Sequence, residues 1–315
     1  ITGGAGFIGS NFVRHVLASS DDEVTVYDAL TYAGNLSTLA DVEESPRYHF
    51  VKGDVCDRDA AEEAMRGCDA VVHFAAESHV DRSILSPDEF VHTNCQGTNV
   101  VCDVARRLEV GRVVHVSTDE VYGSVEEGSS GESDPVAPRS PYSASKAGSD
   151  LIALSYVTTY GLPLVVTRSS NNFGPYQHPE KVIPLFVTNL LAGRRVPLYG
   201  DGLNVRDWCY VGDNCAGVDL VLRHGAVGEI YNVGAGNGVS NLELTRRILA
   251  LMGMGEEMVE PVADRLGHDR RYSIDTAKVR ALGWSPRASL DDALASTVDW
   301  YRANEWWWGP LKAAA

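Results

Sequence analysis

Residues 2–10 read Thr-Gly-Gly-Ala-Gly-Phe-Ile-Gly-Ser. Gly3, Gly6 and Gly9 stand three residues apart, between an apolar segment and the start of a helical pattern. That spacing serves three needs: a tight turn, close approach of backbone to a pyrophosphate, and close packing of a helix on a sheet. The first turn of the helix, with Phe7 and Ile8, then offers free N–H groups and positive potential to phosphates. A glycine trio alone describes no more than a flexible loop, so the surrounding pattern has to decide.

It decides for a doubly wound fold. A helix from about Phe7 to Ala18 leads to a strand at 23–27, EVTVY. A strand at 48–51 precedes a helix near 57–66, and AVVHFA (70–75) and RVVHVS (112–117) are short β-branched runs of the buried-strand kind. A long helix fits between them at about 89–108, another runs from Pro141 to about Tyr160, and LVVT (164–167) is a further strand. Strands separated by helices imply a parallel sheet with right-handed crossovers, binding its ligands at the carboxyl ends of the strands. The expected class is α/β: a Rossmann-type doubly wound parallel sheet with a smaller mixed α/β substrate domain. The expected boundary is 1–170 and 171–315, with later segments free to return to the first domain. In the second part, strand-like pieces lie at 196–200, 229–234 and 270–275, and EEGSSGES (126–133) reads as an exposed loop near the site. The chain opens on Ile1-Thr2-Gly3, where a first strand should already be ending, so a few residues are expected to precede it.

Composition narrows the class. The 315 residues carry a net charge of −16, which argues against a nucleic-acid surface. Apolar runs fall far short of the 18 or so residues of a membrane span. Cys56, Cys68, Cys95, Cys102, Cys209 and Cys215 form no Cys-x-x-Cys pair, so buried thiols in a cytoplasmic setting are expected and no metal site is.

Asp28 closes the second strand 19 residues beyond Gly9. A carboxylate there accepts from an adenosine ribose and repels a 2′-phosphate, which favours NAD over NADP. Asp54, after the third strand, caps a turn or contacts adenine; the sequence leaves both open. Tyr142 and Lys146, spaced i, i+4, share a helix face, and a lysine beside a phenol lowers the phenol's pKa. Ser117-Thr118-Asp119-Glu120-Val121-Tyr122-Gly123 sits at the carboxyl end of a buried strand. Adjacent carboxylates suit an elimination that needs one protonated acid and one ionised base. An exposed acidic turn is the plain alternative.

TGGAGFIGS, STDEVYG and Tyr142-Ser-Ala-Ser-Lys146 together resemble the extended short-chain dehydrogenase/reductases. LTYAGN (30–35), FAAESHVDRSI (74–84), NNFGPYQHPEKVIP (171–184), YGDGLNVRDW (199–208) and DRLGHDRRYSID (264–275) narrow the likeness to the dTDP-glucose 4,6-dehydratases, over essentially the whole chain. Phe173 departs from the family's usual Tyr, and the first strand is short. The resemblance implies catalytic roles for Thr118, Asp119, Glu120, Tyr142 and Lys146. It implies a cofactor site of Gly3, Gly6, Phe7, Ile8, Gly9, Asp28, Leu30, Thr31, Gly34, Asp54, Val55, Phe74, Ala75, Ala76, Ser78 and Ser117, with Tyr142 and Lys146. For the nucleotide sugar it implies Arg206 and Arg265 as a diphosphate clamp. Ser78, Asn172, Lys181, Val182, Pro197, Tyr199, Asn241 and His268 join Thr118, Asp119 and Glu120 around the rest of the substrate. Lys181 and His268 also read as surface residues, Ser78 and Asp81 could touch cofactor or sugar, and Trp306-Trp307-Trp308 reads as packing.

Two other functions fit parts of this pattern. A nucleotide-sugar 4-epimerase shares everything except the need for Asp119 and Glu120. A non-catalytic NAD-binding regulator needs none of the catalytic groups. By family analogy a homodimer is expected through the helices at 89–108 and 141–160, with no nucleic-acid or membrane partner.

Overall fold

The computed structural model describes residues 1–313. The chain runs α1 (Phe7–Ser19), β1 (Val24–Asp28), β2 (Tyr48–Lys52), α2 (Arg58–Met65), β3 (Ala70–His73), α3 (Val80–Leu85), α4 (Pro87–Phe90) and α5 (Thr98–Arg107). It continues through β4 (Arg112–Thr118), α6 (Pro141–Tyr160), β5 (Leu164–Ser169), β6 (Asn171–Phe173), α7 (Val182–Leu191), β7 (Val196–Tyr199) and β8 (Val205–Tyr210). The remainder is α8 (Val211–His224), β9 (Ile230–Val233), β10 (Gly238–Ser240), α9 (Asn241–Met252), β11 (Val259–Val262), α10 (Ala277–Ala281), α11 (Leu290–Ala303) and α12 (Glu305–Ala313).

β1 pairs with β2, and β3, β4, β5 and β9 pair in that order, all parallel. Residues 1–3 join the two groups. The Thr2 amide donates to the Val72 carbonyl at 3.0 Å, the Tyr27 amide donates to Ile1 at 2.9 Å, and Thr2 bridges both Tyr27 and His73. Three residues thus fill the central position of one parallel sheet, and the glycine loop leaves directly from it. The strands are β-branched because both faces are covered: every residue of β5, and all of β4 after Arg112, is buried. One face packs on α1 and α8, the other on α2, α5 and α6.

β9 was expected at 229–234 in the second part, but it extends the main sheet beside β5, and α8 packs on α1. Residues 211–233 therefore return across the expected boundary at 170/171. The rest of the second part forms a three-stranded sheet, β10-β8-β6, and a parallel pair, β11-β7. Around these, α7, α9, α11 and α12 enclose Phe173, Ile183, Leu244, Leu294 and Tyr301.

Three local expectations are corrected. The helix expected at 89–108 is interrupted: a π-helical turn, Val91–Gly97, separates α4 from α5. The wider turn carries the buried Asn94, whose amide bonds both backbone groups of Glu77 and the Ser145 hydroxyl. Residues 270–275 are no strand; Arg271 and Ile274 make single bridges to Val205 and Ser130. That segment spends its hydrogen bonds on the loop at 124–130 as well as on β8. The loop at 126–133 is accordingly exposed at 126–129 but pinned and buried at Ser130.

α6, which carries Tyr142 and Lys146, has firm ends. Ser140 and Ser143 form a capping box, Pro141 occupies the first turn, and Gly161 closes the helix at φ 72°.

Candidate active site

An open cleft runs along the carboxyl ends of residues 1–3, β1, β2, β3 and β4. Its floor is the glycine loop. Gly3 turns at φ 66°, and a Cβ there would lie 2.6 Å from the Ala75 amide nitrogen; a Cβ on Gly9 would collide with the Gly3 carbonyl oxygen. These contacts leave no room for a side chain where α1 meets the sheet. The first α1 residues, Phe7, Ile8 and Gly9, face the cleft.

Asp28 stands at the end of β1 with its carboxylate oxygens accepting from the Ala5 amide (2.9 Å) and the Leu30 amide (2.8 Å). Each oxygen keeps a second lone pair for a ribose hydroxyl. Burial raises its pKa, and the two amide bonds oppose that rise. Asp54 accepts from the Cys56 amide at 2.8 Å, capping that turn, and also lines the cleft. Gly3, Gly6, Thr31, Gly34, Val55, Phe74, Ala75, Ala76, Ser78, Ser117, Tyr142 and Lys146 all lie on the wall. Leu30 does not: its backbone turns at φ 55° and its half-buried side chain packs against the core. The floor thus presents what a dinucleotide needs: a side-chain-free pyrophosphate cradle, a helix N-terminus and a ribose acceptor.

The catalytic candidates gather where β4 ends. Thr118 and Asp119 are buried, and the Thr118 hydroxyl accepts from the Glu120 amide at 3.2 Å. Burial drives the Asp119 carboxyl well above the ordinary range, and negative Glu120 and Asp207 add to that; Arg206 opposes. Burial also raises Glu120, but Arg206, Arg265 and Lys181 all pull it back. Both carboxyls are therefore raised, but unequally: Asp119 is held firmly in its acid form, while three cations restrain the rise of Glu120. The expected lowering of the Tyr142 phenol is corrected. Burial, with Glu120 next, raises it, while Thr118 hydrogen-bonds it and works the other way. Lys146 instead donates to the Val116 carbonyl at 2.8 Å, and its own pKa falls to about 8, chiefly by burial and against the pull of Asp150.

Arg206 is buried. It donates to the Val205 (2.7 Å) and Asp269 (2.8 Å) carbonyls, with its guanidinium 4.2 Å from the centre of the Tyr272 ring. Arg265 lies 3.9 Å from Asp81. Lys181 lines the cleft and donates to the Ser78 carbonyl at 2.9 Å. Buried Asn172 donates to the Ser170 carbonyl at 3.0 Å, while its amide oxygen has no partner among the described residues. His268 pairs with Asp264 at 2.6 Å and meets the Tyr199 ring edge-on at 6.5 Å. Pro197 lies with Tyr199 on β7. Val182 opens α7 and packs against the second core, and Asn241 opens α9, its amide donating to the Asn204 carbonyl; like Asn172, Pro197, Tyr199, Arg206, Arg265 and His268, they lie off the cleft wall that Ser78 and Lys181 line.

The sequence reading missed one part of the wall. Tyr176, Gln177 and Trp307 line the cleft beside the glycine loop. Trp307 was read as packing. It does pack, at 3% exposure, and its indole donates to the Thr38 hydroxyl at 3.3 Å. No local pattern ties residue 307 to residue 6. Among the described residues, no three His, Cys, Asp or Glu side chains are placed to hold a metal, and no helix is long and apolar enough to cross a membrane.

Comparison with known proteins agrees with this geometry. The family model described as GDP-mannose 4,6 dehydratase matches residues 1–297. A dTDP-glucose 4,6-dehydratase of Streptomyces niveus is 54% identical over 319 residues, covering 99% of this chain and 95% of that protein. The crystal structure of DesIV, a dTDP-glucose 4,6-dehydratase from Streptomyces venezuelae with NAD and TYD bound, superposes with a TM-score of 0.97 at 57% identity, covering 98% of each chain. A UDP-glucose 4-epimerase of Thermus thermophilus, in complex with NAD, shares the fold at a TM-score of 0.88 and 33% identity, covering 96% of this chain and 98% of that one.

Proposed function

The chain belongs to the GDP-mannose 4,6-dehydratase family, and on that premise we propose that Asp119 is its general acid, Glu120 its general base, and Tyr142 the group that takes the first proton. The reaction is the NAD-dependent dehydration of dTDP-glucose to dTDP-4-keto-6-deoxy-glucose, a lyase step of deoxysugar biosynthesis. The carrying observation is the pair of adjacent carboxyls at the end of β4, one with anionic neighbours that reinforce its protonation and one faced by Arg206, Arg265 and Lys181.

NAD held by the glycine loop and Asp28 would supply the hydride acceptor for carbon 4 and the hydride donor for carbon 6. Tyr142 removes the 4-hydroxyl proton, and Thr118 hydrogen-bonds the same oxygen. Burial and Glu120 hold the Tyr142 phenol protonated here, with Thr118 opposing them, so bound substrate and cofactor must tip that balance before Tyr142 takes the proton. Once carbon 4 is a ketone, the proton on carbon 5 is acidic. Glu120 takes it. Asp119 gives its own proton to the departing 6-hydroxyl, and water leaves. The proton held by Glu120 then returns to carbon 5 as carbon 6 is reduced.

Arg206 and Arg265 hold the diphosphate by forked donation. Ser78, Asn172, Lys181 and the Pro197, Tyr199, His268 group surround the sugar and base. Asp28 takes the ribose of NAD.

A 4-epimerase has no use for an acid and base at carbons 5 and 6. Mass spectrometry of the product from dTDP-glucose tests the reading: loss of one water supports it, and an unchanged mass overturns it.

The chain works as a homodimer in the cytoplasm. Val91 at the head of the π-turn and Leu151 on neighbouring α6 are 56% and 61% exposed, which suits a shared helical interface. The six cysteines are free, which suits a reducing compartment. Light scattering at micromolar concentration checks the dimer; a monomeric mass rejects it.

A further inference from the structure

Three stretches far apart in sequence meet along one wall of the cofactor cleft. They are the loop carrying Tyr32, the turn Ser78–Arg82 into α3, and the segment Pro175–Lys181 between β6 and α7. The Glu180 carboxylate lies 3.8 Å from Arg82 Nε, 3.9 Å from His79 Nε2 and 3.8 Å from His178 Nδ1. Burial first, with Lys181 next, lowers both imidazoles, His178 to about 4, so both are neutral near pH 7. Of these three partners, Arg82 is the one with a permanent charge. Its guanidinium stands 3.7 Å from the centre of the Tyr32 ring, and that ring meets His178 edge-on at 5.8 Å. Beside them, Lys181 Nζ donates to the Ser78 carbonyl at 2.9 Å.

The far end of the same segment is tied down separately. Asn11 donates to the Pro175 carbonyl at 3.1 Å. Tyr176 turns at φ 65°, with Arg14 4.0 Å over its ring and Trp300 and Trp307 against it at 4.6 and 5.4 Å. A stretch without regular structure is thus anchored at both ends, with Tyr176, Gln177, His178, Glu180 and Lys181 all on the cleft wall.

We infer that the contact between Arg82 and Glu180, backed by Tyr32, closes residues 175–181 on the cofactor cleft and sets how long the dinucleotide stays bound. Arg82 and Glu180 are positioning residues in this scheme. The inference rests on the dehydratase reading, because in that reaction the cofactor reduced at carbon 4 must still be in place when carbon 6 is reduced. A cofactor lost between those steps leaves the substrate stranded as a ketone.

Exchange of bound NAD against labelled NAD in the holoenzyme tests it. Arg82→Met removes the charge and keeps an apolar stem over Tyr32. Glu180→Gln removes the opposite charge. Each should release NAD about tenfold faster than the parent, a size between that of exposed and buried ion pairs, and should purify with less NAD per chain. Added salt should speed release more steeply in the parent than in Arg82→Met, since the variant has lost the screened pair. Parent-like exchange and salt dependence in Arg82→Met would overturn the inference. Arg82 is 50% exposed, so that variant carries the test even where Glu180→Gln fails to fold. Product mass from the parent enzyme reports separately on the dehydratase reading.

Discussion

The floor of the cleft and the catalytic shelf above it are built in opposite ways. The floor comes from one contiguous stretch, residues 2–10, plus Asp28, and it works through backbone: an absent Cβ, free amides, and a carboxylate held by two N–H groups. The shelf works through side-chain charge drawn from β4, β8, the start of α7 and the loop at 264–269. Backbone shape comes from local chemistry. Unequal pKa shifts come from which distant charges end up beside one another.

The largest test of this contrast strikes the shelf. Asp119→Asn should cut elimination by about 10²–10⁴-fold while sparing the first oxidation, so reduced cofactor and the ketone accumulate on mixing with substrate. Elimination at the parent rate would remove Asp119 as the acid. In the parent, elimination should slow as pH rises through the raised Asp119 pKa and as it falls through the raised Glu120 pKa.

Arg206→Met comes next. Loss of a buried charged contact should weaken substrate binding by about 2–5 kcal/mol, read by calorimetry. It also removes the cation that most strongly opposes the Glu120 rise, so the acidic limb of the elimination profile should move to higher pH. An unmoved limb would uncouple the two residues.

Smaller effects are read on stability, one at Lys146 on α6 and one at Gly9 in the floor. Lys146 is buried with its pKa lowered from 10.5 to about 8. A depressed lysine is unpenalised above its unfolded value, and the cost of its charge grows as pH falls toward the folded one. At neutral pH, Lys146→Met should therefore stabilise the cofactor-free protein by up to about 3 kcal/mol, less its lost hydrogen bond, with the gain shrinking between pH 8 and 10.5. Denaturant titrations at both pH values check the sign. Gly9→Ala, forced against the Gly3 carbonyl, should cost about 1–3 kcal/mol and deplete bound NAD; a parent-like NAD content would show that the loop can yield.

The sequence by itself determined the frame. Glycines at 3, 6 and 9, β-branched runs and helical periods specify a parallel sheet, because those patterns are read over a few neighbouring residues. Asp28 and the Tyr142–Lys146 face were legible for the same reason. The adjacent Asp119 and Glu120 were legible as a pair, and the likeness of whole motifs added the arginines. Tertiary structure decided what depends on distance through space. It returned β9 to the main sheet, broke the helix at 89–108 with a π-turn, and left residues 270–275 as single bridges. It packed Leu30 against the core and brought Trp307 to the cleft beside the glycine loop. It also reversed the expected shift of Tyr142, because burial and Glu120 raise it while Lys146, four residues along the same helix, donates to the Val116 carbonyl instead. A charge's effect is set by its neighbours and its solvent, and neither is written in the order of the chain.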